Sequence, residues 1–196
     1  MTGYLSKPPP RNSRPLAKDV PPPRWFTIGH STRPMDEFAG LLQAAGADMV
    51  VDVRSMPRSR TNPQFNTDVM AEALAPWQIG YRHIPALGGL RGRQRALEGP
   101  SPNEGWRNKS FRNYADYALT PAFAEGMAEL ETLGQERRCA LMCAEAVWWR
   151  CHRRIIADYL LARGEPVLHI LAADNIRPAT MTPGAQVTDR GVVYPG

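Results

Sequence analysis

Cysteine is scarce in this sequence, and no long hydrophobic run occurs. The 196 residues include three cysteines, an odd number at unequal spacing, which does not indicate a disulfide framework. No apolar run approaches the roughly 18–20 residues that span a bilayer. The opening stretch, MTGYLSKPPP, also lacks the apolar segment of a secretory signal. We therefore expect a cytoplasmic protein that is not inserted in a membrane.

Familiar nucleotide-binding and zinc-binding signatures are also missing. No GxGxxG follows the first predicted strand, and no GxxxxGK[ST] occurs, which argues against dinucleotide and P-loop sites. The chain has no CxxC pair, and the separation of Cys143 from Cys151 is not a standard zinc-ligand spacing. The cofactor is therefore unknown: a bound metal is possible, but ligand spacing does not indicate one.

Positive charge is concentrated in two parts of the chain. The formal net charge is +5. The first 24 residues carry five Lys or Arg against one Asp, and residues 54–112 carry ten Lys or Arg against four Asp or Glu. Localised positive charge is typical of a surface that binds phosphate. It predicts an anionic, phosphate-bearing ligand, with nucleic acid as a possible partner and a solvated tail as the alternative for the first segment.

The chain divides into a leader, one α/β domain and a tail. Residues 1–24 contain two runs of three prolines and few large apolar side chains, which is typical of a flexible leader. Apolar runs at 25–28, 49–53, 81–84, 138–143 and 167–171 alternate with helical patterns over residues 25–174. This order predicts a Rossmann-like three-layer sandwich with a mostly parallel sheet of about five strands. Residues 175–196 are predicted to be an irregular tail.

Chemically active side chains follow the predicted strands. In an open parallel sheet, ligands bind at the carboxyl ends of the strands. The candidates for catalysis, which are also the candidates for a metal site, are His30, Cys143, Glu145, Cys151 and His152. Cys151 is predicted in the first turn of a helix, where the dipole and neighbouring cations favour the thiolate. The alternatives are buried structural thiols, as expected for Cys139, and a Glu145 that pairs with a nearby arginine.

Arginines are expected to overhang the same edge of the sheet. The candidates from the predicted loops and from the start of the fifth helix are Arg54, Arg58, Arg60, Arg91, Arg150 and Arg153. A guanidinium group can bind phosphate or carboxylate through two parallel hydrogen bonds. These residues therefore predict substrate binding, with pairing to local acids as the alternative.

Several blocks of sequence resemble the DUF488 family. They are TIGHSTRPMDEF, VDVRSMPRSRTNPQFN, LGGLR, FRNYADYALTPAF and LMCAEAVWWRCHRRIIADYLLARG, in the expected order between residues 26 and 170. The resemblance implies that the GHS, DVR and C-x-E…CHR motif positions belong to the site. It adds Ser31, Asp52, Ser59 and Phe65 to the candidates for substrate binding, although Ser31 can also serve as a helix cap. It leaves the reaction open.

Three hypotheses for function follow. The first is an enzyme that acts on a phosphate-bearing substrate, a nucleotide or nucleic acid, with the arginines holding phosphate and a cysteine as nucleophile. The second is a nucleic-acid-binding module without catalysis. The third is a metal-dependent enzyme that uses the Cys/Glu/His cluster. A thiol redox or regulatory role is a further alternative, and the oligomeric state is unknown.

Overall fold

The computed structural model describes residues 22–94 and 99–196, so most of the predicted leader, residues 1–21, lies outside the described residues. The elements follow one another as β1 (Trp25–Gly29), α1 (Met35–Ala45), β2 (Met49–Asp52), α2 (Thr67–Leu74), β3 (Gly80–His83), α3 (Lys109–Tyr117), α4 (Pro121–Glu136), β4 (Cys139–Cys143), α5 (Arg153–Ala162), β5 (Val167–Ala172), β6 (Asn175–Pro178), β7 (Gln186–Thr188) and β8 (Gly191–Val193). None of the helices in this part of the chain is long and apolar enough to cross a membrane.

Six strands form the main sheet in the order β3-β2-β4-β1-β5-β6. The first five are parallel, and β6 pairs antiparallel with β5. The predicted Rossmann-like, mostly parallel α/β sandwich is thus confirmed, with six strands where about five were expected. The central position of β4, between β1 and β2, brings Cys143 next to Gly29 in the register of the sheet.

Helices cover both faces of the sheet. Because side chains alternate along a strand, Val51 and Leu141 join the cluster that contains Tyr114, Phe123 and residues of α5. The neighbouring Val50 and Ala140 point the other way, into the cluster formed with α1 and α2. These two cores fix the strands from both sides and leave their carboxyl ends for a site.

The helix ends follow local sequence chemistry. Thr120 caps α4 by accepting a hydrogen bond from the backbone N–H of Phe123, and Pro121 occupies the first turn. Gly46 ends α1 with a left-handed φ of 72°. Gly134 lies inside α4, where an added Cβ would come within 2.0 Å of the Trp25 ring. It therefore serves close packing between α4 and β1.

The segment 175–196 was predicted to be irregular, but it contains β6, β7 and β8. β6 turns back directly from β5 and ends at Pro178, which is tolerated because β6 is an edge strand. The buried carboxylate of Asp158 in α5 accepts hydrogen bonds from the backbone N–H of Thr182 and from the hydroxyl of Tyr194. These strands are too short for an alternating pattern to indicate them, and a distant carboxylate holds the segment in place.

Candidate functional site

A cavity of about 400 Å³ opens at the carboxyl edge of the sheet, beside the end of β4. Its polar lining includes Cys143, Glu145, Arg150, Cys151 and His152. Four of the five predicted catalytic residues thus lie around one cavity. Apolar side chains complete its wall, among them Met56, Leu90, Phe111 and Tyr114.

Cys143 is the last residue of β4, and the loop after it folds over β1. The Sγ–H of Cys143 donates to Oε2 of Glu145 over 2.6 Å. The backbone N–H groups of His30 and Ser31 donate to the carbonyl oxygens of Cys143 and Ala144, at 2.9 and 3.0 Å. At Gly29, an added Cβ would lie 1.9 Å from the carbonyl oxygen of Glu145. Glycine at this position therefore allows the loop that carries Glu145 to cross β1.

Cys151 lies immediately before α5 and contacts a buried arginine of that helix. The Nε–H of Arg153 donates to Sγ of Cys151 over 3.2 Å, and its Nη2 donates to the carbonyl oxygen of Glu145 over 2.6 Å. The helix begins at Arg153, so the prediction that Cys151 occupies its first turn was wrong. A short 3-10 turn, Trp148–Arg150, ends before Cys151, whose extended backbone interrupts the helical path.

His152 is oriented by a backbone carbonyl. Its Nε2 lies 2.7 Å from the carbonyl oxygen of Val53, so Nε2 must carry the proton and donate it. The other nitrogen, Nδ1, faces Sγ of Cys151 at 3.6 Å. The ring of Tyr114 packs against the imidazole at a centroid distance of 4.9 Å. The Nδ1 edge of His152 is therefore held toward the thiols.

The pKa values of the two cavity cysteines are shifted in opposite directions. Burial raises the pKa of Cys151, but the neighbouring thiol of Cys143 and the positive charge of Arg153 outweigh it, so the pKa lies well below its ordinary value. The neighbouring Cys151 and burial raise the pKa of Cys143 far above its ordinary value. These directions favour the thiolate at Cys151 and the thiol at Cys143. Cys139 is fully buried, and burial raises its pKa to about 12, as expected for a core cysteine.

Asp52 and Arg54 form a buried ion pair behind the cavity. The Nε–H of Arg54 donates to Oδ1 of Asp52 over 2.9 Å, and the hydroxyl of Tyr81 donates to Oδ2 over 2.8 Å. Arg54 also donates to the carbonyl oxygen of Phe65 and to Nε2 of His30, at 2.6 and 3.1 Å. Arg54 lines the cavity, but its guanidinium group is engaged mainly in holding the loop after β2.

His30 belongs to this buried network and does not line the cavity. Because Arg54 can only donate, Nε2 of His30 accepts, and Nδ1 carries the proton that it donates to the carbonyl oxygen of Ser31 over 2.8 Å. Burial is the main cause that lowers the pKa of His30 to about 4, and the hydrogen bond to Ser31 and the charge of Asp52 offset it only in part. His30 is therefore neutral at physiological pH. Its ring stacks on Phe65 at 4.3 Å.

The remaining predicted binding residues lie outside the cavity wall. Ser59 accepts a hydrogen bond from the backbone N–H of Asn62 within its own loop. Arg58 and Arg60 are exposed on that loop. Arg91 turns back to the carbonyl oxygen of Gly88 at 2.9 Å and lies 3.9 Å from the centroid of the Tyr117 ring. Ser31 has a φ of 51° and precedes α1 by four positions, so it is not the cap of that helix.

Two positions of the site had no clear signal in the sequence. Tyr81 completes the hydrogen bonding of Asp52 from the edge strand β3. Gly89 lies against the imidazole, and an added Cβ there would come within 2.3 Å of Nδ1 of His152. The glycines of the LGGLR block are the one feature that could have pointed to a close approach of the backbone.

Two cysteine sulfurs and one histidine nitrogen, all of them possible metal ligands, lie close together in the site. Sγ of Cys143, Sγ of Cys151 and a ring nitrogen of His152 all lie within 4.8 Å of one another. The carboxylate of Glu145 lies next to them through its contact with Cys143. The cluster can thus present a nucleophilic thiolate, an acid–base pair, or a set of metal ligands.

Comparison with known proteins identifies a family but no reaction. A family model described as "Domain of unknown function DUF488" matches residues 34–160, well over half of the chain. The match includes Asp52, Arg54, Cys143, Glu145, Cys151 and His152, whereas His30 precedes the matched residues. No curated protein and no solved structure matches the chain.

Proposed function

The chain belongs to the DUF488 family, and from the contents of its cavity we propose that it is a thiol-dependent enzyme acting on a small phosphate-bearing substrate. Cys151 is the nucleophile. The observation that carries the proposal is the contact between its Sγ and the buried guanidinium group of Arg153, 3.2 Å away, at the wall of a cavity of about 400 Å³. A thiolate held by a cation and open to a cavity is the arrangement that covalent catalysis by cysteine requires.

His152 is the second residue, after Arg153, whose side chain contacts Sγ of Cys151. Its Nδ1 faces Sγ of Cys151 at 3.6 Å, and the carbonyl oxygen of Val53 orients the ring through Nε2. A nucleophile, a base beside it and a third group that orients the base form the usual constellation of nucleophilic catalysis. Its unprotonated Nδ1 can accept the proton of Cys151 whenever the thiol form is present, which keeps the nucleophile in the thiolate form.

Glu145 and Cys143 supply the second proton path. Glu145 is exposed at the cavity and accepts the proton of Cys143 in a hydrogen bond of 2.6 Å. Attack by the Cys151 thiolate on an electrophilic phosphorus or carbon forms a bond to sulfur and breaks the bond to the leaving oxygen, which takes the proton of Cys143. Glu145 then removes a proton from the water that cleaves the bond to sulfur and passes it to Cys143, so the Cys151 thiolate and the Cys143 thiol are both regenerated.

The cavity wall indicates the shape of the substrate. Arg150 is exposed at the cavity, and no ion pair between described residues involves it. Met56 and Leu90 are 74% and 76% exposed, so their side chains offer apolar surface to a ligand. A phosphate group at Arg150 with an apolar or planar body against Leu90 and Phe111 fits this wall. A nucleotide has both parts.

The test is to capture the covalent intermediate. The purified chain is incubated with a panel of nucleotides and other phosphate-bearing compounds, and intact mass and peptide mapping are recorded after acid quench. We expect an adduct on Cys151 and turnover that Cys151→Ser abolishes. Glu145→Gln is expected to slow release of the adduct by about 100- to 10,000-fold. The control is Cys139→Ala, which removes a buried thiol outside the cavity. Turnover that survives in Cys151→Ser would refute the proposal.

Exposed arginines favour one other candidate function, binding to nucleic acid without catalysis. Arg58 and Arg60 are exposed on the loop after β2, and neither takes part in an ion pair of the described residues. If they contact phosphates, affinity for single-stranded and double-stranded DNA falls steeply with salt, and Arg58→Ala with Arg60→Ala reduces the slope. Binding that does not respond to salt would exclude this function.

A further inference from the structure

We infer that Cys143, Cys151 and His152 form a site for a divalent transition metal ion of the zinc class, with an open fourth position toward the cavity. The inference deepens the proposed function, since it concerns the same cluster, but it depends on ligand geometry and not on covalent chemistry. The three ligand atoms lie within 4.8 Å of one another. Thiolate sulfur and imidazole nitrogen are the ligands that zinc prefers in proteins.

The three ligand atoms would have to move only slightly to surround a metal ion. In a tetrahedral site with zinc–sulfur bonds of about 2.3 Å, neighbouring ligand atoms are about 3.8 Å apart or less. The cluster therefore has to contract by at most about 1 Å, which side-chain torsions supply, to surround an ion. Cys143 ends a strand and Cys151 precedes a helix, so both are held by rigid elements.

The surroundings of the cluster orient its members as ligands. His152 donates its Nε2 proton to the carbonyl oxygen of Val53, which leaves the lone pair of Nδ1 directed at the thiols. A backbone carbonyl on the distal nitrogen is the usual second contact of a metal-binding histidine. The Nε–H of Arg153 donates to Sγ of Cys151, and hydrogen bonds of this kind stabilise thiolate ligands.

Glycine at residue 89 lets the backbone pack against the ring of His152. A Cβ at this position would lie 2.3 Å from Nδ1, 2.7 Å from Cε1 and 2.8 Å from Cγ, so a larger residue would push the imidazole out of its place beside the thiols. The cavity of about 400 Å³ then adjoins the fourth coordination position. Glu145, in contact with Cys143 through Oε2, lies where it can accept a hydrogen bond from a water molecule on the ion.

Metal binding and the covalent function exclude each other at Cys151. A sulfur lone pair that coordinates an ion is not available for attack on a substrate. Zinc is therefore expected to protect Cys151 from alkylation and to inhibit the thiol-dependent reaction until a chelator removes it. The ion is thus a reversible inhibitor of the proposed thiol-dependent reaction.

The experiment titrates Co²⁺ into the full chain, purified without a histidine tag and stripped with chelator, and records thiolate-to-cobalt charge-transfer absorption. We expect one ion per chain, displaced by Zn²⁺. Cys143→Ser, Cys151→Ser and His152→Ala should each weaken binding by at least about tenfold, whereas Cys139→Ala should not. No thiolate-to-cobalt band in the wild type, or a band unchanged in all three variants, would overturn the inference.

A second measurement uses only the wild-type chain, so its result does not depend on whether the variants fold. Zn²⁺ is added to the wild type, and iodoacetamide labelling of Cys151 is followed by peptide mapping. Protection that chelator reverses supports the site, and labelling at the same rate with and without Zn²⁺ contradicts it. If Cys151 forms a substrate adduct but no metal binds, the metal site fails and the proposed enzyme stands. If metal binds and no substrate forms an adduct on Cys151, the metal site stands and the proposed enzyme fails.

Discussion

The Nε–H of Arg153 points at Sγ of Cys151 across 3.2 Å, and the two residues are only 1% and 2% exposed. None of the ion pairs between described residues provides a carboxylate to this arginine. A buried cation is costly unless an opposite charge and hydrogen bonds compensate it. The lowered pKa of Cys151 favours a thiolate that can supply this charge, and the carbonyl oxygen of Glu145 supplies a further acceptor.

Replacing Arg153 by Leu should therefore make Cys151 less reactive. Without the guanidinium group the pKa of Cys151 rises, and each unit by which it exceeds the pH of the assay lowers the thiolate fraction about tenfold. We expect iodoacetamide labelling of Cys151 near neutral pH to slow by about tenfold or more. The rate is followed by mass spectrometry of the Cys151 peptide.

The control for this variant is Arg154→Gln. Arg154 is the next residue of α5, but its Nε–H donates to Oγ1 of Thr182, away from the thiols. Its loss should leave the labelling rate unchanged. Equal slowing in both variants would mean that general loss of structure, and not the contact with Arg153, controls Cys151.

The three cysteines should differ in how labelling depends on pH. Cys151 has a pKa well below the ordinary value, so its labelling rate should be almost constant from neutral to mildly alkaline pH. The pKa of Cys143 is raised and that of Cys139 is raised to about 12, so their rates should increase with pH over the same range. Site-resolved alkylation measures all three. A rate for Cys151 that rises tenfold per pH unit would contradict the assigned thiolate.

Two buried histidines should make the fold sensitive to acid. Burial lowers the pKa of His30 from 6.5 to about 4, with Arg54 and Arg153 adding to the effect, and it lowers that of His169 from 6.5 to about 4, with Arg153 adding. In the unfolded chain the two histidines therefore bind protons as the pH falls below 6.5, whereas in the folded chain they bind protons only near pH 4. Stability is complete above that window and falls by roughly 1–3 kcal/mol per histidine across it.

The variant that tests this dependence is His169→Gln. The ring of His169 stacks on Trp148, and its Nδ1 contacts the hydroxyl of Thr27 at 2.8 Å. An amide keeps a partner for that hydroxyl but does not titrate. Urea unfolding measured from pH 7 to pH 4 should show a shallower loss of stability in the variant than in the wild type. Parallel curves would show that His169 is not buried in its neutral form.

The sequence predicts most of the sheet because β1, β2, β4 and β5 are short and largely apolar runs with mostly buried side chains, whereas the edge strand β3 is partly exposed and polar. It also predicts the main content of the cavity, since residues after parallel strands meet at one edge: Cys143, Glu145, Cys151 and His152 line one wall. The role of His30 was not predictable, because its contact with Arg54 depends on how the loop after β2 folds. The ligand spacing did not indicate a metal site, because the cluster joins a strand end to a helix start.

The carboxyl-terminal strands show the other limit of the sequence. β7 and β8 have three residues each, too few for a periodic pattern. The segment is held by hydrogen bonds from Thr182 and Tyr194 to Asp158, more than twenty residues away along the chain. A pattern in the neighbouring residues cannot indicate a hydrogen-bond partner that is so distant along the chain.

Gly29→Ala is expected to separate the site from the rest of the fold. A Cβ at this position would lie 1.9 Å from the carbonyl oxygen of Glu145 and 2.8 Å from Cα of Ala146, so the loop after β4 has to move. The move breaks the contact of Glu145 with Arg153. We expect a loss of about 1–3 kcal/mol of stability, together with slower labelling of Cys151 and loss of the cobalt spectrum.

Gly40→Ala is the matched control for Gly29→Ala, because residue 40 lies inside α1 with nothing within 4 Å of an added Cβ. It should raise stability by about 0.4–1 kcal/mol and leave the thiols unchanged. If Gly29→Ala kept wild-type labelling while losing stability, the loop that carries Glu145 would not position the thiolate, and the thiolate would depend on α5 alone.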